Sequence, residues 1–137
     1  MPDSPTTNET GFDRELLRGS LDLLVLAEVG GGERYGYQIL AALREKSGGR
    51  VDLRAGTLYP ILHKLEADGC VSARWDDGAG RDRKWYALTP RGRARLESHT
   101  REWLDYAACL QRMLRPVVAA FGQSPGNELA NPGRTSA

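Results

Sequence analysis

The densest chemistry in the chain is cationic. Between Arg74 and Arg95, seven basic side chains (Arg74, Arg81, Arg83, Lys84, Arg91, Arg93, Arg95) stand against three acidic ones (Asp76, Asp77, Asp82). That local excess of four positive charges sits in a chain whose formal net charge is only +1. Local charge, not the total, decides whether a surface attracts phosphate. Arginine accounts for sixteen of the nineteen basic residues, and its planar guanidinium suits phosphate oxygens and guanine edges. The cluster centres on Gly78-Ala79-Gly80-Arg81-Asp82-Arg83-Lys84, a turn that offers Arg81, Arg83 and Lys84 to the backbone of a polyanion or to a narrow minor groove.

Other chemistries find little support. Cys70 and Cys109 lie far apart without a CxxC or Cys/His cluster, and His63 and His99 are the only histidines. A zinc site needs about four convergent ligands, so no metal and no cofactor is expected, and the thiols read as small apolar side chains. The two histidines fall on different predicted helices, and no glycine loop follows a strand to cradle a phosphate. Catalysis is therefore not expected. The N-terminus lacks the basic start and apolar stretch of a secretory signal, and apolar runs such as Leu23 to Ala27 are far short of a membrane span. A cytoplasmic protein without a membrane partner is the expectation.

The 137 residues suit one globular core. Residues 1–11 and 122–137 are polar, rich in Pro, Gly, Ser and Thr and without periodicity, and read as disordered arms. From Asp13 to Val29, Leu16, Leu17, Leu21, Leu24, Val25 and Val29 recur at helical spacing, predicting one amphipathic helix ended by Gly30-Gly31-Gly32. A second helix is predicted over Gly36–Lys46, and a third from Ala55 or Gly56 to just before Gly69. Beyond Gly69 the period falls to two: Val71, Ala73 and Trp75, then an Asp-Gly turn, then Trp85 to Leu88, predict a β-hairpin. Thr89 and Pro90 open a last helix, predicted to reach Arg115 and to resume past Pro116 toward Phe121.

Helix, helix, helix, hairpin, helix is the order of a winged helix-turn-helix: a mainly α fold with a small antiparallel wing (α+β). The predicted layout is a winged DNA-binding domain over 12–89 and a long dimerisation helix over 90–121. In such a fold the second helix of the pair enters the major groove, which shows a distinct pattern for every base pair. With Leu58, Ile61, Leu62 and Leu65 turned inward, Thr57, Tyr59, Pro60, His63 and Lys64 remain for bases or phosphates, and Ala55 and Gly56 permit close approach. One recognition helix reads few base pairs, so a two-fold dimer is expected. Leu96, His99, Trp103, Tyr106, Leu110, Met113 and Val117 recur at alternating spacings of three and four, a heptad seam for that dimer. Leu16, with Phe12 and Leu17, is expected to pack against it.

Three segments are more specific than any pattern: Tyr35-Gly36-Tyr37-Gln38-Ile39; Gly56-Thr57-Leu58-Tyr59-Pro60-Ile61-Leu62-His63-Lys64-Leu65-Glu66 with Gly69; and Lys84-Trp85-Tyr86-Ala87-Leu88-Thr89 with Gly92. In order and separation they resemble the PadR family of bacterial regulators, over about residues 15–115. The resemblance implies a homodimeric repressor on an inverted-repeat DNA operator, of the smaller subfamily with a single C-terminal dimerisation helix. It also implies a role for Trp103, which stands where multidrug-sensing members place a tryptophan at the dimer centre to sandwich a flat aromatic effector. One departure is Arg54, where the family often has a serine N-cap. Arginine cannot accept the capping hydrogen bond, so either Asp52 compensates or Arg54 is kept for DNA phosphate, the favoured reading. A protein-interaction module that had lost DNA binding would have shed Arg54, Lys64, Arg81, Arg83 and Lys84.

Overall fold

Gly19 and Ser20 interrupt the apolar stripe that predicts a single first helix, and the chain breaks there. The computed structural model describes residues 11–76 and 82–121. In it α1 spans Arg14–Arg18 and α2 spans Leu21–Gly30. The Ser20 amide (2.9 Å) and hydroxyl (3.2 Å) both donate to the Leu17 carbonyl, closing a turn where a continuous helix would have passed. Glycine's high cost inside a helix and serine's local bonding explain the break.

α3 (Gly36–Lys46) and α4 (Ala55–Ala67) match the periodicity. α4 ends in a Schellman motif: Gly69 takes φ +79°, Cys70 N donates to Leu65 O at 2.9 Å and Gly69 N to Glu66 O at 3.0 Å. The sheet holds one strand more than the hairpin. A two-residue strand, β1 (Arg34–Tyr35), joins β2 (Val71–Asp76) and β3 (Arg83–Leu88) in the antiparallel order β1-β3-β2. Tyr35 pairs with Trp85, and Ala73 with Tyr86. Two residues have no readable period, which is why β1 is silent in the sequence.

The core gathers Val25, Leu26 and Val29 of α2, Ile39 and Leu43 of α3, and Leu58, Leu62 and Leu65 of α4 against Val71 and Tyr86 of the sheet. Cys70, at the corner between α4 and β2, is fully buried. Within this apolar shell Glu28 is the buried charge among the described residues. Lys46 Nζ meets its carboxylate at 2.9 Å, and Arg34 Nε donates to its main-chain oxygen at 3.1 Å, so one acidic residue ties α2 to α3 and β1.

α5 (Pro90–Phe121) is one helix, running on through Pro116. Its start is anchored by the third sequence motif. Thr89 Oγ1 accepts from Gly92 N at 3.0 Å and donates to Gly69 O at 2.6 Å, while Thr89 N donates to Cys70 O at 3.1 Å. A Cβ at Gly92 would overlap the Cys70 carbonyl, so the helix approaches this closely only with glycine there. The chain divides into two compact units, and the division falls inside α5, after Thr100.

Candidate nucleic-acid interface

α4 sorts its residues by face. Leu58, Leu62 and Leu65 are buried, whereas Gly56, Pro60, His63 and Lys64 are exposed on the side away from the core. Among the described residues a Cβ added at Gly56 would meet nothing within 4 Å, so no packing there calls for glycine at that position. Tyr59 is held from behind. Its hydroxyl and ring lie on the Gly36 backbone so closely that a Cβ there would overlap them. The first and second sequence motifs therefore meet: glycine between two tyrosines is what lets Tyr59 seat between α3 and α4. Spacing alone leaves this contact invisible, because it joins residues far apart in the chain.

Arg54 occupies the N-cap with extended backbone (φ −101°, ψ 161°), and its main-chain oxygen accepts from Thr57 N and Leu58 N at 2.9 and 3.0 Å. Among the described residues no side chain caps this helix, Asp52 included, and the Arg54 side chain is exposed. Arg54 and Thr57 line a broad groove, shared with Phe12 and Leu17, on the α1 side of α4. Tyr59 and His63 line a different one, a cleft of about 410 Å³ on the wing side. The eight described residues expected at DNA thus divide between two flanks of α4, Arg54 and Thr57 on one and Tyr59, His63, Arg83 and Lys84 on the other, with Pro60 and Lys64 between them.

Several cations are already engaged. Lys64 Nζ lies 3.3 Å from Asp22 of α2, in an exposed pair. Lys84 leans back over Trp75 and Tyr86, 5.8 and 5.7 Å from the ring centroids, and meets Glu66 at 3.5 Å. Arg83 stacks on Tyr35 at 4.5 Å. Arg74, counted in the basic cluster, is bound to both oxygens of Glu33 at 2.7 and 2.9 Å, which lowers the Glu33 carboxyl and raises the guanidinium. This bond joins the α2–β1 turn to the wing and was not legible in the sequence. Arg81 and the wing tip lie outside the described residues.

The seam residues also divide. Leu96 packs within its own chain against Gly30 and Leu88, and His99 is exposed. Trp103 is half-buried, in edge contact with Tyr106 at 5.7 Å between ring centroids. Tyr106, Leu110, Met113 and Val117 face solvent, Met113 at 70%, and Leu16 of α1 is 65% exposed. Burial pushes the Tyr86 phenol above its ordinary range, with Glu66 and Tyr59 adding to the shift. No helix among the described residues is long and apolar enough to cross a membrane.

Known proteins share this arrangement. A transcriptional regulator of Mycobacterium tuberculosis is 34% identical over 114 residues, covering 83% of this chain and 97% of its own. The crystal structure of a PadR family transcriptional regulator from Eggerthella lenta superposes with a TM-score of 0.66 at 31% identity, over 73% of this chain and 86% of that one. A PadR family regulator from Clostridium difficile gives 0.63 at 28% identity, over 70% of this chain and 99% of its own. The profile of the PadR-like transcriptional regulators matches residues 23–98, spanning the helix-turn-helix, the wing and the start of α5. The chain thus belongs to the PadR-like family of transcriptional regulators, DNA-binding proteins of winged helix-turn-helix fold and not enzymes.

Proposed function

We propose that the protein is a homodimeric repressor that reads an inverted-repeat operator with α4 in successive major grooves and follows the flanking backbone with its wing. The observation that carries this reading is the outer face of α4. It presents Gly56, Pro60, His63 and Lys64 to solvent over a helix whose opposite face is locked in the core. A rigid helix with an unobstructed tip suits base-edge contact. Arg54, Thr57, Tyr59, Arg81, Arg83 and Lys84 are assigned to the phosphates and edges on either side.

Dimerisation is supported by the solvent-facing apolar seam of α5, Tyr106-Leu110-Met113-Val117, and by the exposed Leu16. Apolar side chains repeating on one stripe of a helix want a partner helix. An effector that favours a different spacing of the two recognition helices would release the operator. Trp103, half-buried against Tyr106, is its assigned contact, with planar hydrophobic compounds as the ligand class.

The test is a fluorescence-anisotropy titration against the DNA upstream of the protein's own gene, beside scrambled DNA and at several salt concentrations. Tight binding to the native fragment, two protomers per site and a steep loss of affinity with salt are the expected results. Arg83→Ala should flatten the salt slope by about one counterion. Absence of affinity for any DNA at low salt would defeat the repressor reading. Trp103 emission that ignores planar hydrophobic compounds would defeat the effector assignment alone.

A further inference from the structure

The wing-side cleft holds chemistry that the preceding assignment leaves unused. Its walls come from three elements. Tyr35, Gly36 and Tyr37 open α3, Tyr59 and His63 stand on α4, and Trp75, Arg83, Lys84 and Tyr86 rise from the wing strands. Asp82 is the one carboxylate among the lining residues, and Glu66 faces Lys84 from behind. Two of the largest exposed aromatics of the chain stand here, Tyr37 at 65% and Trp75 at 64%. Trp75 shares a strand face with Val71 and Ala73 but lies beyond the edge of the core, so intramolecular packing does not account for it.

One of the lining residues, Tyr86, carries an unsatisfied polar atom. Tyr86 is fully buried, and among the described residues its hydroxyl is the buried side-chain oxygen or nitrogen with no hydrogen-bond partner. Burying a hydroxyl without a partner is costly, and such a group in a native fold points to something that completes it. Glu66 and Tyr59 act on the Tyr86 phenol from nearby, and the rest of the lining is rich in donors and cations: Tyr35, Tyr37, Trp75, Arg83, Lys84 and His63. At the start of α3 Gln38 Oε1 already takes the Tyr35 amide at 3.2 Å, and the Gly36 and Tyr37 amides have no intrahelical acceptor. Converging donors with few acceptors suit a phosphate, and the apolar ring faces suit the deoxyribose beside it.

We propose that this cleft clasps one phosphodiester of the operator backbone, with Tyr37 and Trp75 as its jaws and the Tyr86 hydroxyl completed by the bound phosphate or by its water. The clasp rests on the DNA-binding reading and deepens it by naming contacts outside the helix face and the basic wing tip. A base is the wrong occupant, because the cleft lies to the wing side of the outermost face of α4. The contact positions the protein and carries no sequence information.

Neutral donors leave a signature that cationic ones do not. Tyr37→Phe and Trp75→Ala should each weaken binding by about 3- to 10-fold. The loss should be equal for native and scrambled DNA, with the salt slope unchanged because no counterion-releasing charge is removed. Tyr86→Phe keeps the ring and removes the orphan oxygen. It should raise the melting temperature of the free protein while weakening DNA binding, two effects that a purely structural role would not set in opposition. Acrylamide quenching of wild type compared with Trp75→Phe isolates the Trp75 emission, which DNA should protect and inorganic phosphate alone should not.

If wild type binds the operator but all three variants bind equally well and Trp75 stays open to acrylamide in the complex, the clasp is wrong and the repressor reading stands. Loss confined to native DNA would overturn it in favour of base readout. Protection by inorganic phosphate alone would overturn it in favour of a free anion. Wild type that binds no DNA would remove the repressor reading and the clasp together.

Discussion

Three glycines show how one residue type serves different ends. At Gly36 a methyl group would strike the Tyr59 ring, and at Gly92 it would strike the Cys70 carbonyl, whereas at Gly56 it would meet nothing among the described residues. Gly36→Ala should therefore lower stability by about 1–3 kcal/mol, by overpacking a buried joint. Gly56→Ala should stabilise the free protein by up to about 1 kcal/mol, through helix propensity, and yet weaken operator binding by crowding the tip of α4. Denaturant titration and anisotropy on the same pair of variants check both signs. The Glu33–Arg74 bond gives a pH test. Arg74 depresses the folded-state Glu33 carboxyl, so its stabilisation is full at neutral pH and is lost as acid protonates the carboxylate. Both side chains are open to solvent, so the difference between wild type and Glu33→Gln should be small, vanish on acidification and shrink in salt.

At the scale of elements, the joint between α4 and α5 fixes the start of the long helix within the winged unit. Thr89 spans that joint through its hydroxyl, bonded on one side to Gly69 O and on the other to Gly92 N. Asp68 and Arg95 pair beside it at 3.1 Å. Thr89→Ala should cost about 1–2 kcal/mol, an N-cap plus one tertiary bond, seen as a lower denaturant midpoint with an unchanged m value. Most elements are legible in the sequence because their apolar positions repeat: α3, α4, the hairpin and the start of α5 fall where the pattern puts them. The break at Gly19-Ser20 and the strand β1 do not. The first depends on local bonds to one carbonyl, and the second on an edge that β3 offers only once the wing has formed.

For the whole molecule, the apolar seam of α5 sets the expected assembly. Met113, at 70% exposure, lies at its middle. Met113→Glu should convert a dimer to a monomer in analytical ultracentrifugation and lower operator affinity by at least about 100-fold, because two half-sites then bind independently. The winged unit should keep its circular dichroism, since Met113 lies beyond the unit that ends at Thr100. A dimer that persists with unchanged affinity would place the interface elsewhere. Leu96 should not behave as a seam residue: it packs on Gly30 and Leu88, so Leu96→Ala should destabilise the winged unit rather than the dimer.

Periodicity and short motifs, which are properties of the chain read in order, determined the family, the helix-turn-helix, the wing and which face of α4 is free. What required the tertiary structure is every relation between residues distant in sequence. Tyr59 rests on Gly36, Lys64 is tied to Asp22, Lys84 turns back to Glu66, and Tyr37, Trp75 and Tyr86 come together in one cleft. Spacing along a helix or strand fixes a side chain's direction relative to its own element. Which element it then meets depends on how the elements pack, and no local pattern encodes that.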